Sequence, residues 1–194
     1  MGNKLKKVLY HLKRGELLYV IATRNLLRNH NRDLVNTAKS VGKRFTNHSL
    51  ESKVNANTVI GDDVSFNGMA IRGKGEVTIG SHFHCGSGCT IITSNHDYDG
   101  GEVLPYSRKN QVLKKVTIGD NVWFGSNVTV LGNSSIGEGA IIQACALVIG
   151  DIPPCAIAGG IPAKVFKYRD VEHYEALKKE GRFFTLGKAE EAED

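Results

Sequence analysis

An apolar residue occupies every sixth position through the second half of this chain, and this spacing limits the possible folds more than any other feature. The unbroken series is Ile118, Phe124, Val130, Ile136, Ile142 and Val148. The fifth position of each unit is mostly small or β-branched: Val122, Val128, Ser134, Ala140, Ala146 and Ile152. Since 41% of the residues are apolar, six successive hits would arise by chance about once in 200 trials. Two positions of each unit are therefore constrained.

The same spacing appears earlier in the chain, where it is interrupted twice. Its upstream members are Val54, Ile60, Phe66, Ile79, Cys85 and Ile91. A glycine-rich stretch at 68–75 breaks the series once, and it stops again between 92 and 117. The second gap predicts a loop that protrudes from the repeats.

A parallel β-helix accounts for this period, whereas an α-helix does not. Residues six apart on an α-helix lie about 240° from each other, and the 22 glycines of the chain disfavour long helices. A short strand followed by a corner returns its inward side chain every six residues, and three such sides make one triangular coil. Coils stacked about 4.8 Å apart bury an aliphatic column and need capped ends. The sequence predicts an all-β parallel β-helix over residues 51–168, with 92–117 as an inserted loop.

The segment before the repeats is basic. Residues 1–50 hold eleven Lys and Arg against Glu16 and Asp33, so they carry a formal charge of +9, while the rest of the chain carries −4. Apolar residues at helical spacing predict two amphipathic helices within 3–30. Such a charge fits phosphorylated ligands, an anionic membrane surface or nucleic acid, and equally a solvated helical face.

After the repeats, residues 169–194 are predicted to form a short helix and a tail. Pro153 and Pro154 are expected to close the repeats. The helix is expected from Val171 to Gly181, where glycine is a typical stop signal. The tail from 188 onward is expected to be disordered.

Cysteine usage and hydropathy bear on location. Cys85, Cys89, Cys145 and Cys155 form no Cys-x-x-Cys pair and follow no secretory leader, which predicts small buried residues in a reducing compartment. The apolar run at 17–22 is far shorter than the ~20 residues needed to cross a bilayer. We therefore expect a cytoplasmic protein, with peripheral contact at the inner membrane face through residues 1–50 as an option.

Two motifs carry a resemblance to a known family. The first runs Ile118-Gly-Asp-Asn-Val-Trp-Phe-Gly-Ser-Asn-Val, and the second joins Asp151-Ile-Pro-Pro to Gly159-Gly-Ile-Pro-Ala-Lys-Val. Over roughly residues 52–169 the chain resembles the galactoside, maltose and nodulation O-acetyltransferases, a group of hexapeptide-repeat enzymes. The resemblance implies a left-handed β-helix, a homotrimer with active sites between subunits, and transfer from acetyl-CoA or another acyl-CoA to a sugar hydroxyl or amine. The basic N-terminal helices add the hypothesis that this sugar is nucleotide-linked or lipid-linked, in the biosynthesis of a surface polysaccharide or lipopolysaccharide.

The resemblance also implies the catalytic base. In the family a histidine in the protruding loop takes the proton of the acceptor, and the matching position here is His96. A histidine with a pKa near 6.5 suits this role because a sugar hydroxyl is a poor nucleophile at neutral pH. The residue after it is Asp97 where the family usually has proline. His82 and His84 compete for the role, but their places in the repeat predict that they point outward and pack against a neighbouring subunit.

Other positions match the family's binding residues. Trp123 and Ser126 match positions beside the thioester, where the backbone N–H of Ser126 would face the oxyanion. Ala144 matches a position along the pantetheine arm, and Lys164 and Lys167 match basic positions near the phosphates. Ordinary packing of a small residue explains Ala144 equally well, and packing at a subunit interface does the same for Trp123.

Asn67 matches the position that contacts the acceptor, although an Asn-Gly corner explains it equally well. The chain departs from the family pattern at two places. Ile149 and Gly150 replace an expected Thr-Lys pair, and Arg72 and Lys74 stand where an acceptor-binding acid is expected. The acceptor is therefore not expected to be a simple galactoside.

Other functions remain open at this point. A γ-class carbonic anhydrase needs three histidines on one metal, yet no histidine follows His96 before His173, so no metal is expected. An antibiotic or other small-molecule acetyltransferase and a non-catalytic binding solenoid are alternatives. Nucleic acid is not expected as a partner, because residues 1–50 lack interleaved exposed aromatic residues.

Overall fold

The computed structural model describes residues 14–184, and short parallel strands form three faces of a triangular prism. Face I contains β1 (Ser40–Val41), β3 (Thr58–Ile60), β6 (Val77–Ile79), β11 (Val116–Ile118) and β14 (Ser134–Ile136). Face II contains β2 (Thr46–Asn47), β4 (Ser65–Phe66), β7 (His84–Cys85), β12 (Trp123–Phe124), β15 (Ile141–Ile142), β17 (Ala156–Gly159) and the antiparallel β18 (Lys164–Tyr168). Face III contains β5 (Met69–Arg72), β8 (Cys89–Ile92), β13 (Thr129–Leu131) and β16 (Leu147–Val148). The predicted parallel β-helix is confirmed, with about six coils.

The six-residue series forms the core. Its members from 118 onward are each at most 1% exposed: Ile118, Phe124, Val130, Ile136, Ile142 and Val148. Phe45, Phe66, Phe83 and Phe124 stack edge to face along the axis with ring centroids 5.0–6.1 Å apart, a geometry that aromatic pairs favour. The inward side chains of successive coils thus form one continuous apolar column.

The corners explain part of the glycine content. A Cβ atom on Gly119 would lie 2.7 Å from the backbone nitrogen of Glu138 in the next coil. Backbones stacked at the strand spacing leave no room for a side chain there. At the corner between faces I and II the chain also turns through the left-handed region, at Asp63 (φ 55°), His82 (φ 56°) and Asn121 (φ 58°).

The N-terminal part differs from the expectation. The helix α1 spans Arg14–Thr37 without a break, so the second predicted helix runs past residue 30, and the first falls largely outside the described residues. The first strands lie at 40–47, before the expected start of the β-helix at residue 51. The six-residue pattern does not extend to this coil, because its inward position, which pairs with Phe66, is occupied by Asn47, a buried polar residue.

Hydrogen bonds stabilise this buried amide. Asn47 donates to the side-chain oxygen of Asn31 on α1 (2.8 Å) and to the carbonyl of Ser49 (2.7 Å), and it accepts from the Ser52 hydroxyl (2.6 Å). A buried polar group is tolerated when its bonds are satisfied. The same contacts attach α1 to the first coil.

The C-terminal part returns to the β-helix. One further parallel strand, β17, follows the two prolines before the chain turns back as the antiparallel β18, so the expectation that Pro153 and Pro154 close the repeats is wrong. The helix α2 spans Val171–Lys179, begins at an Asp170 cap and is followed by Gly181 at φ 67°. The tail expected from 188 onward lies outside the described residues.

The helix α2 packs on the corner between faces I and II. The Tyr174 hydroxyl donates to the Glu138 carboxylate (2.8 Å) and accepts from the Asn121 amide (3.0 Å), and Lys178 pairs with Glu138 at 2.6 Å. Burial, and then the bond to Glu138, raises the pKa of Tyr174. This network fixes the C-terminal residues over face II.

The inserted loop contains a hairpin. Strands β9 (Ser94–Asp97) and β10 (Ser107–Leu113) pair antiparallel and leave the prism at the corner between faces III and I. Within residues 14–184 no helix is both long and apolar enough to span a membrane. The cysteines are all free, but Cys145 is exposed, contrary to the expectation that all four are buried, because its side chain occupies a corner.

Candidate active site

Three of the predicted binding residues share one corner of the prism. Asn67, Ser126 and Ala144 each follow a strand of face II, at the corner between faces II and III. Ser126 and Ala144 lie in adjacent coils, because β12 pairs directly with β15. The corner is closely packed: a Cβ on Gly125 would lie 2.5 Å from the backbone nitrogen of Ala144. This corner therefore presents backbone to a ligand rather than large side chains.

Unpaired backbone donors line this corner. The N–H groups of Gly125 and Cys145 donate to neighbouring coils at 2.8 and 2.9 Å, whereas those of Ser126 and Ala144 make no backbone hydrogen bond within the described part of the chain. Adjacent coils place these two donors about 4.8 Å apart. A column of free N–H groups suits the amide carbonyls of a pantetheine arm or a developing oxyanion.

The other cofactor candidates lie on face II. The side chain of Trp123 points outward and is 53% exposed, in register with His84 and Ile141 on the adjacent strands. Lys164 and Lys167 lie on the outer strand β18, both exposed. Lys164 pairs in register with Gly159, next to the corner that carries Ser126 and Ala144. The chain thus places all five predicted cofactor residues along face II and one of its corners.

Asn67 has a structural contact at the same corner. Its Nδ2 donates to the carbonyl of Cys85 in the next coil at 3.1 Å. This bond accounts for one end of the amide, as the corner interpretation expects. Among the described residues the side-chain oxygen of Asn67 has no hydrogen bond, so it is available to a donor on a ligand.

His96 lies on a different corner. It is exposed on β9, and its ring stacks on Tyr106, with centroids 3.9 Å apart and planes 12° apart. Asp97 does not orient it: that carboxylate accepts from the backbone N–H of Gly100 at 2.8 Å. Face III separates His96 from the Ser126 corner, and four extended residues span about 13 Å. Direct proton transfer needs about 3 Å, so one chain does not bring these groups together.

His82 and His84 point outward as expected, but they pack against their own chain. His82 stacks on Phe183 with centroids 4.2 Å apart, and His84 meets Phe184 edge-on at 5.2 Å. These rings meet the two phenylalanines because α2 carries them back over face II, and the expected contact with a neighbouring subunit stays a prediction. Burial, and then the charge of His82, lowers the pKa of His84.

These residues border a cavity of about 540 Å³, which we call the face II pocket. It lies between β4, β7, β12 and the C-terminal residues. It includes Asn67 and Trp123, so it opens onto the candidate site. Its further walls are Arg169, Tyr174, Lys178, Arg182, Phe183 and Phe184. Residues 14–184 contain no group of His, Cys, Asp and Glu side chains suited to hold a metal ion.

A second concave surface lies on the N-terminal helix. Arg24, Arg28 and Arg32 follow one another at four-residue spacing and border it together with Leu27 and Phe45. Leu18, Tyr19, Ile21 and Leu26, on the part of α1 farther from the prism, are each 47–73% exposed. This helix therefore presents both cationic and apolar side chains.

Comparison with known proteins agrees with the fold and with the repeat. Residues 115–150 match the family model described as bacterial transferase hexapeptide, six repeats. Galactoside O-acetyltransferase of Escherichia coli is 34% identical over 103 residues, which cover 50% of this chain and 48% of that protein. The chain spans about half the length of the curated relatives that it matches. The resemblance to hexapeptide-repeat acetyltransferases is confirmed over these residues.

Solved structures extend the likeness beyond the repeat. The maltose O-acetyltransferase of Clostridium difficile superposes with a TM-score of 0.64 and 25% identity over 76% of this chain and 84% of that one. A galactoside acetyltransferase in complex with coenzyme A gives a TM-score of 0.60 over 84% and 87%, with 20% identity, and shows the fold alone. The fold is that of the left-handed β-helix acetyltransferases, as the resemblance implies.

Sequence reasoning missed several residues around the candidate site. Tyr106 lies ten residues beyond His96 with no motif to link them, and only the hairpin register brings the two rings together. Phe183, Phe184 and Arg169 reach face II through the packing of α2. The signal available in the sequence was weak: two adjacent aromatic residues directly after a predicted helix end.

Proposed function

We propose that this protein transfers an acetyl or similar acyl group from acetyl-CoA or another acyl-CoA to a sugar hydroxyl or amine. The unpaired N–H groups of Ser126 and Ala144, in a column beside Trp123 and Lys164, carry this proposal. The known galactoside acetyltransferase that superposes on the chain binds coenzyme A. The residues present here fit such a ligand: small residues at the corner for the pantetheine arm and exposed lysines for its phosphates.

The reaction assigns one role to each group. His96 accepts the proton of the acceptor hydroxyl while its oxygen attacks the thioester carbonyl. The N–H of Ser126 donates to the oxygen that becomes negative, a contribution of about 3 kcal/mol when well aimed. The carbon–sulfur bond then breaks, and the proton on His96 passes to the departing thiolate. No acyl-enzyme is needed.

The proposal includes a homotrimer, because His96 and the Ser126 corner lie on different edges of one prism. A threefold axis parallel to the prism would let the hairpin of one subunit reach the corner of its neighbour. The side chain of His96 is exposed and free to meet such a partner.

Light scattering should give three times the chain mass of 21.1 kDa. A monomer that transfers acyl groups would contradict the proposed homotrimer.

A thiol-release assay with acetyl-CoA tests the activity. We expect free thiol to appear only when an acceptor is present, across a panel of neutral sugars, uronic acids, nucleotide sugars and antibiotics. Activity on antibiotics alone would favour the small-molecule alternative over a sugar acceptor. If the protein neither binds coenzyme A nor releases thiol with any acceptor, the proposal of acyl transfer is wrong and a non-catalytic binding solenoid remains.

The N-terminal helix suggests where the acceptor is presented. Arg24, Arg28 and Arg32 with exposed apolar neighbours suit an anionic membrane surface, where each basic residue contributes about 1 kcal/mol. This fits a lipid-linked precursor of a surface polysaccharide. We expect the protein to sediment with phosphatidylglycerol vesicles and not with phosphatidylcholine vesicles. Replacement of all three arginines by glutamine should abolish sedimentation with the phosphatidylglycerol vesicles. Equal sedimentation with both lipids would contradict this role.

A further inference from the structure

The face II pocket contains three buried nitrogen atoms without a hydrogen-bond partner. Four side-chain polar atoms of this kind occur within residues 14–184, and three of them line this pocket: Nδ1 of His82, Nε2 of His84 and Nε of Arg169. Buried polar groups in native proteins nearly always have a partner. Nδ1 of His82 lies 3.7 Å from the Asp63 carboxylate, beyond hydrogen-bond distance, whereas the atoms of His84 and Arg169 have no polar partner among the described residues. Unsatisfied atoms gathered in one cavity indicate a ligand rather than a packing defect.

The chemistry of these atoms defines the ligand. Arginine donates and never accepts, and a neutral histidine nitrogen donates in one of its two tautomers. The complementary group is therefore rich in acceptors. No Asp or Glu is among the described residues that line the pocket. Carboxylates that contact its walls are already paired with cations: Asp63, 3.7 Å from Nδ1 of His82, with Arg44, and Glu138 with Lys178.

The cations around the pocket are not equally available. Lys178 is paired with Glu138 at 2.6 Å, and Arg182 lies 3.7 Å from Glu180. Arg169 has no ion pair within the described residues, and its guanidinium lies 5.6 Å from the centre of the Tyr174 ring. Arg169 is thus the cation left for a ligand, held in place by an aromatic contact.

The position of the pocket assigns this anion to the acceptor. Arg169 donates its backbone N–H to Cys155, near the corner between faces I and II, whereas the proposed coenzyme corner lies across face II. The pocket meets the candidate site through Asn67 and Trp123. The exposed Trp123 ring and the two phenylalanines offer flat apolar walls for a sugar ring.

We propose that the face II pocket binds an anionic group of the acceptor, a carboxylate or phosphate carried by the sugar, through Arg169 and His84. This inference rests on the proposed acyl transfer and names the class of its acceptor. The anion could instead be a phosphate of the coenzyme, so the experiment below separates the two sources.

Titration calorimetry with galacturonate and galactose tests binding without turnover. We expect the wild-type protein to bind galacturonate and to bind galactose at least about tenfold more weakly, because a hydrogen bond to a charged group is lost. Arg169→Gln should weaken galacturonate binding about tenfold to hundredfold and leave coenzyme A binding unchanged. The matched control is Lys179→Gln, which removes one positive charge from α2 outside the pocket and should change neither.

The thiol-release assay then compares the same two sugars. Arg169→Gln should lower kcat/KM for galacturonate about tenfold or more without raising the KM for acetyl-CoA. If Arg169→Gln does not fold, His84→Gln takes its place in both measurements, with at least a threefold loss expected for galacturonate alone.

Several results would overturn the inference. In the first two, the wild-type protein binds galacturonate and galactose equally well, or binds neither. In the third, Lys179→Gln weakens galacturonate binding as much as Arg169→Gln does. In the fourth, Arg169→Gln weakens the binding of coenzyme A and not that of galacturonate. Failure of the proposed function looks different: galacturonate would still bind in an Arg169-dependent manner, but no acceptor would release thiol. The two proposals therefore stand or fall on separate readings.

Discussion

Replacement of His96 by alanine should lower the rate of acyl transfer by about 10²–10⁴-fold. This is the usual contribution of a positioned general base, and no other histidine of the described chain lies on the hairpin. Coenzyme A binding should be unchanged, because the proposed contacts with the coenzyme come from Ser126, Ala144 and the lysines of β18, whereas His96 contacts only the acceptor. The measurement is thiol release at saturating acetyl-CoA, with coenzyme affinity determined separately by calorimetry.

The stability of the His96→Ala variant should match that of the parent protein. The ring is exposed and its main contact is the stack on Tyr106, so little buried area is lost. His173→Ala is the matched control, because its side chain is exposed on α2 far from the hairpin, and it should keep the full rate. A His96→Ala protein that retains a third of the rate would show that another group takes the proton.

The β-helix was predictable because its signal is local and repeated. Each coil places inward residues at fixed spacing, so Ile118 and its successors reveal the fold without knowledge of any distant contact. The first coil was not predicted, because Asn47 takes the place of an apolar residue. The burial of Asn47 depends on its hydrogen bond to Asn31, which lies 16 residues earlier on α1. The six-residue spacing of apolar residues predicts a buried apolar column, but it does not predict a buried polar residue whose hydrogen bonds are made by neighbouring residues.

The candidate site was less predictable for the same physical reason. Resemblance suggested the roles of Asn67, Ser126 and His96, and the coils explain why the first two share a corner. Contacts that join distant segments left no periodic trace: His82 meets Phe183 across a hundred residues. Histidines that look like surface residues in the repeat thus become walls of a pocket only after α2 has packed.

The largest loss of stability should follow from Phe124→Ala. Phe124 is fully buried, and its ring lies edge to face 5.0 Å from Phe83. Truncation of a buried phenylalanine usually costs about 3–5 kcal/mol, from lost transfer energy and from the cavity that remains. In a solenoid the coils on both sides share this loss, since each coil is stabilised by its neighbours. Urea denaturation followed by far-ultraviolet circular dichroism, at one fixed chain concentration, measures the change.

Trp123→Ala is the control for that prediction, because the two residues are adjacent on β12 and point in opposite directions. Side chains alternate between the faces of a strand, and Trp123 is half exposed while Phe124 is buried. The free energy of unfolding should therefore fall by less than about 1 kcal/mol for Trp123→Ala, although acyl transfer should suffer. Equal losses of stability would contradict the inward and outward assignment on face II, and with it the placement of Trp123 beside the thioester.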